Sequence, residues 1–328
     1  MSQSLAAGYD GHNLVFVAGC PRSGTTWFQR LLASHPKIRT GQESHLFDHH
    51  IGPQLTAWES SFGNADQLRA AGLSCYISSE EFRSILKSYL VRLLDPMVGN
   101  LSTGELFLEK SPDNALYVPQ IFELLPRAKV IHVLRDARDV VSSLTAREDW
   151  LLTWAPSNAR LAAGYWVRRI EAVRNAMRNI PAGQFYEIRY ETLLDSPVEV
   201  MRGTADFLGL DWDLADIEKS VELNRADQAR KTGGTPIPVY GDVAKRSGPV
   251  LIEPKGFIRR AESGGWKKDL SVVQKFWVWH VARRTMAENG YHWSKGAELA
   301  FSPLSSLVDV TRWGLKRVLF GEGKRQTG

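Results

Sequence analysis

Features that mark secreted, membrane-spanning and disulfide-rich proteins are scarce in this sequence. It has 328 residues but two cysteines, Cys20 and Cys75, which are too few for a disulfide framework and lack the spacing of a metal site. Residues 1–10 lack the basic and apolar regions of a signal peptide. No apolar run reaches the ~18–20 residues that a membrane-spanning helix requires. We therefore expect free thiols and a cytoplasmic protein.

A strong charge of either sign is also missing. The formal net charge is +5, and the basic residues occur in short clusters rather than in one stripe, which argues against a nucleic-acid partner. There is no internal repeat and no low-complexity tract. Hydrophobic residues make up 43% of the chain, which is enough to bury a core. The sequence thus predicts a folded globular protein whose basic clusters suit a small anionic ligand.

Short apolar runs alternate with amphipathic segments along the chain. Residues 13–18, 129–134 and 184–190 are rich in β-branched and aromatic side chains and predict strands. Residues 25–34 and 136–146 follow the first two of these strands and carry apolar side chains at helical spacing. Strands separated by helices predict an α/β fold with a central parallel sheet flanked by helices.

We expect one domain over residues 1–298, followed by a tail. Residues 224–257 are rich in Gly, Pro, Lys and Arg without periodicity and predict a mobile loop. Longer amphipathic helices are predicted over residues 159–179 and 272–289. In residues 299–328 the apolar side chains fall near one helical face, and basic residues accompany them. Such a helix can pack on its own domain, join a homodimer or rest peripherally on an anionic membrane.

One loop has the spacing of a phosphate site. Residues Gly19–Thr26 follow a predicted strand and open a predicted helix, and they contain the pattern Gly-x-x-x-x-Gly. In such loops, backbone N–H groups and a helix N-terminus surround an anion. Position 25 is threonine where a nucleotide triphosphatase has lysine. The candidate ligands in this loop are Arg22, Ser23, Gly24, Thr25 and Thr26.

A second anion site is predicted where the strand at residues 129–134 ends. Arg135 stands at its carboxyl end, and Ser143 follows eight residues later, across the start of a helix. Ligands of open α/β sheets bind at the carboxyl ends of strands, so we expect Arg135 to face the same crevice as the Gly19–Thr26 loop. The alternative is that Arg135 and the charged residues after it form local salt bridges at the helix start.

Three segments in one order make the chain recognisable. Pro21–Thr26 looks like a 5′-phosphosulfate loop, Val133–Ser143 looks like a 3′-phosphate motif, and Arg259–Lys267 is similar to a late Arg-Lys-Gly-x-x-Gly-x-Trp-Lys segment. The chain therefore resembles the sulfotransferases that use 3′-phosphoadenosine-5′-phosphosulfate (PAPS), over residues 14–291. This resemblance implies the P-loop-like sulfotransferase fold, PAPS as the sulfate donor and no metal.

Further site residues are implied by the same resemblance. Lys110, at the end of a short predicted strand, would stabilise charge on the transferred sulfuryl group together with Arg22. Trp27 would stack on the adenine, or else simply cover the core. The ligands implied for the rest of the donor are Arg135, Ser143, Tyr190, Arg259 and Arg260.

A glutamate is the leading candidate for the catalytic base. The stretch that includes Gly41–Ser44 resembles the tyrosylprotein and carbohydrate-type sulfotransferases, and the glutamate that serves the tyrosylprotein enzymes as base falls on Glu43. A carboxylate just beyond a phosphate-loop helix is also a chemically sensible base. His45, His49 and His50 are rival candidates, since cytosolic sulfotransferases use a histidine.

The predicted activity is transfer of a sulfuryl group from PAPS to an acceptor hydroxyl by in-line attack, with Glu43 as base. One alternative is a P-loop nucleotide kinase or triphosphatase. Another is a protein that binds a nucleotide bisphosphate or docks on a membrane without transferase activity. Carbohydrate, glycolipid, small alcohol and protein tyrosine are all open as acceptors. The aromatic residues expected either to line the acceptor pocket or to fill the core are Trp58, Trp150, Trp154, Tyr165 and Trp166.

Overall fold

The structure is a computed structural model that describes residues 5, 8–61, 72–146, 154–225, 237–238, 245, 250–251 and 262–305. Two compact units make up the chain. The first contains Met1–Arg135 and Arg168–Gly264, and the second contains Asp136–Val167 and Gly265–Gly328. The expectation of a single domain over residues 1–298 stays a prediction. The free thiols expected at Cys20, which is buried, and Cys75, which is exposed, are confirmed.

A five-stranded parallel sheet forms the centre of the first unit, which confirms the predicted α/β class. Its strand order is β2-β3-β1-β4-β5, and every neighbouring pair is parallel. The strands are β1 (Leu14–Gly19), β2 (Ile38–Thr40), β3 (Leu106–Lys110), β4 (Lys129–Leu134) and β5 (Phe185–Arg189). All six residues of β1 are buried, as is typical of a central parallel strand that is covered on both faces.

The residues of β1 alternate between two apolar cores. Leu14 and Phe16 pack into one core together with side chains of the helices that follow β2 and β3. Val15 and Val17 pack into the other, which includes the helix after β1 and the helices after β5. Successive side chains of a strand point to opposite faces of its sheet. The alternation therefore shows that apolar side chains of helices cover both faces of the sheet.

Helices connect the strands, and those at Thr25–Ala33, Ala137–Leu144, Ala159–Met177 and Val272–Glu288 lie within the segments where the sequence predicts helices. Those of the first half of the chain are α1 (Thr25–Ala33), α2 (Gly52–Ser60), α3 (Ser79–Val98), α4 (Val118–Leu124) and α5 (Ala137–Leu144). Those of the second half are α6 (Ala159–Met177), α7 (Tyr190–Asp195), α8 (Pro197–Leu208), α9 (Leu214–Leu223), α10 (Trp266–Asp269) and α11 (Val272–Glu288). The described residues also form a π-helical turn, Leu46–Ile51, and two 3₁₀ turns, Leu73–Cys75 and Pro112–Leu116.

The second unit contains α5, α10 and α11 and further helical residues at 295–305. Phe276, Trp279 and Phe301 form a small apolar cluster within it. Arg138 and Asp136 form an ion pair at the start of α5, and the Arg138 guanidinium lies 4.4 Å from the ring of Trp266. The local salt bridge that the sequence allowed at this helix start therefore involves Arg138 and Asp136.

Two predicted segments fall largely outside the described residues. Within the expected loop at 224–257, the structure describes a two-stranded antiparallel pair, β6 (Ile237–Pro238) with β7 (Val250–Leu251). Of the expected tail at 299–328, it describes residues 299–305. Among the described helices, none combines the length and the apolar character needed to cross a membrane.

Candidate active site

The predicted phosphate loop joins β1 to α1. Gly24, the residue before α1, has a φ of 93°, a left-handed conformation that glycine adopts without strain. Gly24 has no side chain that could cap α1, so this position supplies no hydrogen-bond acceptor to the N–H groups of the first helical turn. The Ser23 hydroxyl is buried and has no hydrogen-bond partner among the described residues. An anion bound by the loop would supply the missing partner.

Lys110 connects the loop to the predicted base. It ends β3 beside Val17 of β1, and its side chain is 4% exposed. Its Nζ donates a hydrogen bond to Thr26 Oγ1 at 3.1 Å and forms an ion pair with Glu43 Oε1. The structure thus brings together three residues that the sequence predicted separately: one from the loop, one from β3 and one from the segment after β2.

The charge state of Glu43 follows from its partners. Burial alone would raise the pKa of Glu43, but the ammonium of Lys110 and the hydrogen bond from His45 outweigh burial and lower the pKa to about 2. Glu43 is therefore a carboxylate at neutral pH, which is the state that a general base requires. While Lys110 remains paired with it, Glu43 is a weak base.

A buried glutamate that the sequence analysis missed holds the base segment to β3. Glu109 is 1% exposed and accepts hydrogen bonds from the hydroxyls of Ser44 at 2.7 Å and Ser111 at 2.6 Å. The amide of Asn114 donates to its other oxygen at 2.6 Å. An acidic residue inside an otherwise apolar strand, directly before Lys110, was the available signal. Glu109 fixes the backbone that follows Glu43.

His45 lies against Glu43 at the beginning of the π-helical turn. Its Nε2 is 3.4 Å from Glu43 Oε2, and its Nδ1 is 2.9 Å from Asp48 Oδ2. The hydrogen bond to Asp48 and the contact with Glu43 raise the pKa of His45 to about 10, although burial opposes them. Asp48 was not predicted as a site residue. His49 and His50, the other rival bases, are both exposed.

His45, Asp48 and His49 also offer ligand atoms that lie within 4.8 Å of one another. The imidazole rings of the two histidines stack with their centroids 4.5 Å apart and an angle of 14° between them. In-plane lone pairs of nearly parallel rings point alongside each other rather than towards one centre. Because His45 Nδ1 is also hydrogen-bonded to Asp48, we interpret this cluster as a hydrogen-bonded group rather than a metal site.

Arg135 lies directly after β4 and contacts the phosphate loop. Its guanidinium donates to the carbonyl oxygen of Arg22 at 2.9 Å and to that of Glu262 at 3.0 Å. The same guanidinium lies 4.0 Å from the centroid of the Tyr190 ring. Tyr190 in turn packs against Gly24, where an added Cβ would overlap its ring. Arg135 and Tyr190 therefore support the loop through stacking and backbone contacts.

The remaining predicted residues are distributed more widely. Trp27 is partly buried in the apolar core, lies edge-on to Tyr190 and donates from its indole to the carbonyl oxygen of Asn224 at 2.9 Å. Ser143 belongs to the second unit, where it is buried on α5. Arg259 and Arg260 lie outside the described residues. The expectation that Ser143 and these arginines bind the donor stays a prediction.

The aromatic residues expected near the acceptor differ in exposure. Trp58 is buried and stacks on Phe82, with ring centroids 4.2 Å apart. Trp166 is fully buried, whereas Trp154 is 46% exposed. Trp150 lies outside the described residues. For Trp58 and Trp166 the structure favours the core interpretation.

Comparisons with known proteins agree on one family. The model of the Sulfotransferase family matches residues 15–214 of this chain. A protein-tyrosine sulfotransferase of Drosophila melanogaster is 27% identical over 242 residues, which cover 74% of this chain and 45% of that protein. Protein-tyrosine sulfotransferase A of Caenorhabditis elegans is 26% identical over 208 residues, covering 62% of this chain and 53% of that protein. The chain thus spans about half the length of these two relatives.

Solved structures share the fold. The sulfotransferase domain from the curacin biosynthetic pathway superimposes with a TM-score of 0.53 and 18% identity, covering 88% of this chain and 100% of that one. A mouse sulfotransferase complexed with PAP gives a TM-score of 0.52 and 13% identity, covering 82% of this chain and 83% of that one. At these identities the likeness shows the fold alone.

Proposed function

Because the chain belongs to the sulfotransferase family, we propose that it transfers the sulfuryl group of PAPS to an acceptor hydroxyl, with Glu43 as the general base. The observation that carries this proposal is the position of Lys110. Its ammonium contacts Thr26 in the phosphate loop and Glu43 beyond it, so one buried cation links the proposed donor site to the proposed base.

The donor is held by groups of the phosphate loop. The N–H groups at the start of α1, the hydroxyls of Ser23, Thr25 and Thr26 and the guanidinium of Arg22 suit the 5′-phosphosulfate end. Arg135 supports the loop through the Arg22 carbonyl and adds positive charge beside it. The mouse protein of the same fold was solved with PAP, which is consistent with a donor of this class.

The chemical step divides the work between Glu43 and Lys110. Glu43 takes the proton of the acceptor hydroxyl while that oxygen attacks the sulfur atom of the donor. The bond between sulfur and the bridging phosphate oxygen breaks, and its electron pair stays on the phosphate oxygen. Lys110 stabilises the negative charge that develops there. The products are the sulfated acceptor and adenosine 3′,5′-bisphosphate, and the proton remains on Glu43 until it passes to solvent.

Donor binding would also strengthen the base. Lys110 lowers the pKa of Glu43 while the two are paired, and the same ammonium lies within hydrogen-bond distance of Thr26 in the loop. When Lys110 turns to the bound phosphosulfate, Glu43 loses one of its two cationic partners and its pKa rises, while His45 remains beside it. Glu43 thus becomes an effective base only when there is a sulfuryl group to transfer.

We propose a protein tyrosine as the acceptor. Both relatives described above are protein-tyrosine sulfotransferases, and their matches cover 74% and 62% of this chain. The phenol of tyrosine has an ordinary pKa of ~10, so its proton must be removed for attack at neutral pH. A carboxylate base in the position of Glu43 supplies this step.

An acceptor screen with labelled PAPS tests the proposal. Tyrosine peptides, carbohydrates, glycolipids and small alcohols are offered to the full chain, and mass spectrometry reads the sulfated product. The expected result is sulfation of tyrosine peptides with one adenosine 3′,5′-bisphosphate formed per product, and a Glu43→Gln variant that binds donor but is nearly inactive. Phosphorylation from ATP and magnesium, without transfer from PAPS, would establish the kinase alternative instead.

A further inference from the structure

The two carboxylate oxygens of Glu43 have different partners. Oε1 is paired with Lys110, whereas Oε2 lies 3.4 Å from Nε2 of His45. The Glu43 side chain is 31% exposed, so it has room to rotate if it is not held. The proposed mechanism removes Lys110 from Oε1 when the donor binds. His45 is then the described partner that still holds the carboxylate.

His45 is itself held at its ring and at its backbone. Its Nδ1 is hydrogen-bonded to Asp48, and its ring stacks on His49. Its backbone N–H donates to Ser111 Oγ at 3.0 Å, and that hydroxyl donates to buried Glu109. These contacts fix the direction in which Nε2 meets Glu43.

The backbone conformation of His45 is unusual. Its φ is 49°, in the left-handed region that residues with a side chain rarely adopt. Among the described residues, the other non-glycine with a positive φ is Arg22, in the phosphate loop, at 74°. His45 also directly precedes the π-helical turn Leu46–Ile51, a rare element that is frequent at functional sites. Strain that persists at two positions of one site is consistent with a functional requirement there.

We propose that His45, oriented by Asp48, is a positioning residue that holds the Glu43 carboxylate towards the acceptor hydroxyl after Lys110 has turned to the donor. This inference rests on the proposed function, in which Glu43 is the base. The groups that face His45 are Glu43, Asp48 and His49, and those that face Glu43 are Lys110 and His45. Two carboxylates beside one imidazole favour the imidazolium, which donates from both nitrogens.

This role distinguishes His45 from a base. An imidazolium has no free lone pair with which to accept the acceptor proton. His45 therefore acts through Glu43 and does not replace it. Loss of His45 should misdirect the carboxylate, which lowers turnover without weakening the binding of donor.

Kinetics of five variants test the proposal. Asparagine is enriched in the left-handed region, so His45→Asn should preserve the backbone while being too short to join Asp48 to Glu43. We expect kcat about tenfold to a hundredfold lower, with donor affinity unchanged. His45→Gln, whose amide can still reach Glu43, should recover part of the loss. His50→Ala, an exposed neighbour, should match the parent protein. The double variant, Glu43→Gln with His45→Asn, should have a kcat no lower than that of Glu43→Gln alone.

The outcomes separate this inference from the proposed function. If the losses in the double variant multiply, His45 acts independently of Glu43 and the inference is wrong, while Glu43 can still be the base. If Glu43→Gln is fully active and His45→Asn is not, both the proposed base and the positioning role are overturned. Unchanged kcat in His45→Asn would overturn the positioning role alone.

NMR titration of the histidine ring provides a readout that needs no acceptor. In the full chain, His45 should remain an imidazolium well above the ordinary midpoint of ~6.5. Its midpoint should fall in Asp48→Asn and in Glu43→Gln. A midpoint near 6.5 for His45 in the parent protein would show that it is not held between the two carboxylates, and would overturn the proposal.

Discussion

The phosphate loop and the segment that carries Glu43 both reach Lys110, but different forces hold them. Backbone conformation and packing fix the loop: it joins a buried strand to α1, and Gly24 lies directly against the Tyr190 ring. Polar side chains fix the Glu43 segment through Glu109 and through His45 with Asp48. The comparison suggests that the donor side is built into the fold, whereas the base side depends on a hydrogen-bond network. The two sides should therefore fail separately when they are mutated.

Removal of Lys110 should affect both sides. It should lower turnover more than a change at Arg135 or Gly24 does. Lys110→Met keeps the length of the buried side chain but removes the cation that faces the sulfuryl group. We expect turnover to fall by roughly 10²–10³, measured as sulfated product per enzyme. Lys37→Met, which changes an exposed lysine, is the control. Undiminished turnover in Lys110→Met would show that the two regions do not depend on this residue.

Replacement of Arg135 should damage the donor side alone. Arg135→Ala removes the guanidinium that supports the Arg22 carbonyl and stacks on Tyr190. Binding of adenosine 3′,5′-bisphosphate should weaken by ~1.5–3 kcal/mol, as expected for a charge-assisted contact. The rise in Tm that this ligand causes should therefore be smaller in the variant than in the parent protein. In the parent protein, ATP with magnesium should raise the Tm much less. A larger rise with ATP would contradict the donor assignment.

A side chain at Gly24 should break the packing that holds the loop. Gly24 has a φ of 93°, and an added Cβ would overlap the Tyr190 ring. Gly24→Ala should lower stability by ~1–3 kcal/mol and reduce the binding of adenosine 3′,5′-bisphosphate. Gly104→Ala is the matched control, because Gly104 has a φ of 81° and nothing within 4 Å of its added Cβ. Equal effects of the two changes on the Tm and on binding would mean that contact with Tyr190 is unimportant.

The smallest expected effect is a pH dependence of stability on the base side. The pKa of Glu43 is lowered from 4.5 to about 2, so its ionised form stabilises the folded state. This contribution is complete above pH ~4.5 and is lost as the pH falls towards ~2. The Tm of the parent protein should therefore exceed that of Glu43→Gln most clearly near pH 6, and the difference should shrink near pH 2.5. A difference that is the same at both pH values would contradict the ion pair with Lys110.

The donor side could be predicted from sequence more completely than the base side. The Gly19–Thr26 loop and Arg135 each follow a strand, and the carboxyl ends of parallel strands meet at one edge of the sheet. Their approach to one another therefore follows from the strand pattern. Glu43 and Lys110 were identified by resemblance, but their ion pair depends on the register of β2, which precedes Glu43, with β3, which ends in Lys110. No local pattern in the sequence specifies that register.

Glu109 and Asp48 were missed because their roles depend on a local backbone conformation and on contacts that the sequence does not show. Glu109 accepts from Ser44, 65 positions earlier in the chain, as well as from Ser111 and Asn114 just after it, and the sequence does not show that these hydroxyl and amide groups meet at one carboxylate. Asp48 meets His45 through a π-helical turn, for which no sequence signal was available. The resemblance implied that Tyr190 contacts the donor, which stays a prediction; the structure shows that its ring packs against Gly24 and Arg135.

The most direct test of the account is to measure sulfuryl transfer and donor affinity in the same preparation of Glu43→Gln. The full chain is assayed with PAPS and the acceptor found by screening, and binding of adenosine 3′,5′-bisphosphate is measured by calorimetry. We expect unchanged affinity and turnover lower by roughly 10²–10⁴, which is the loss typical of removing a general base. Full turnover, or loss of affinity together with turnover, would contradict the separation of a donor side from a base side.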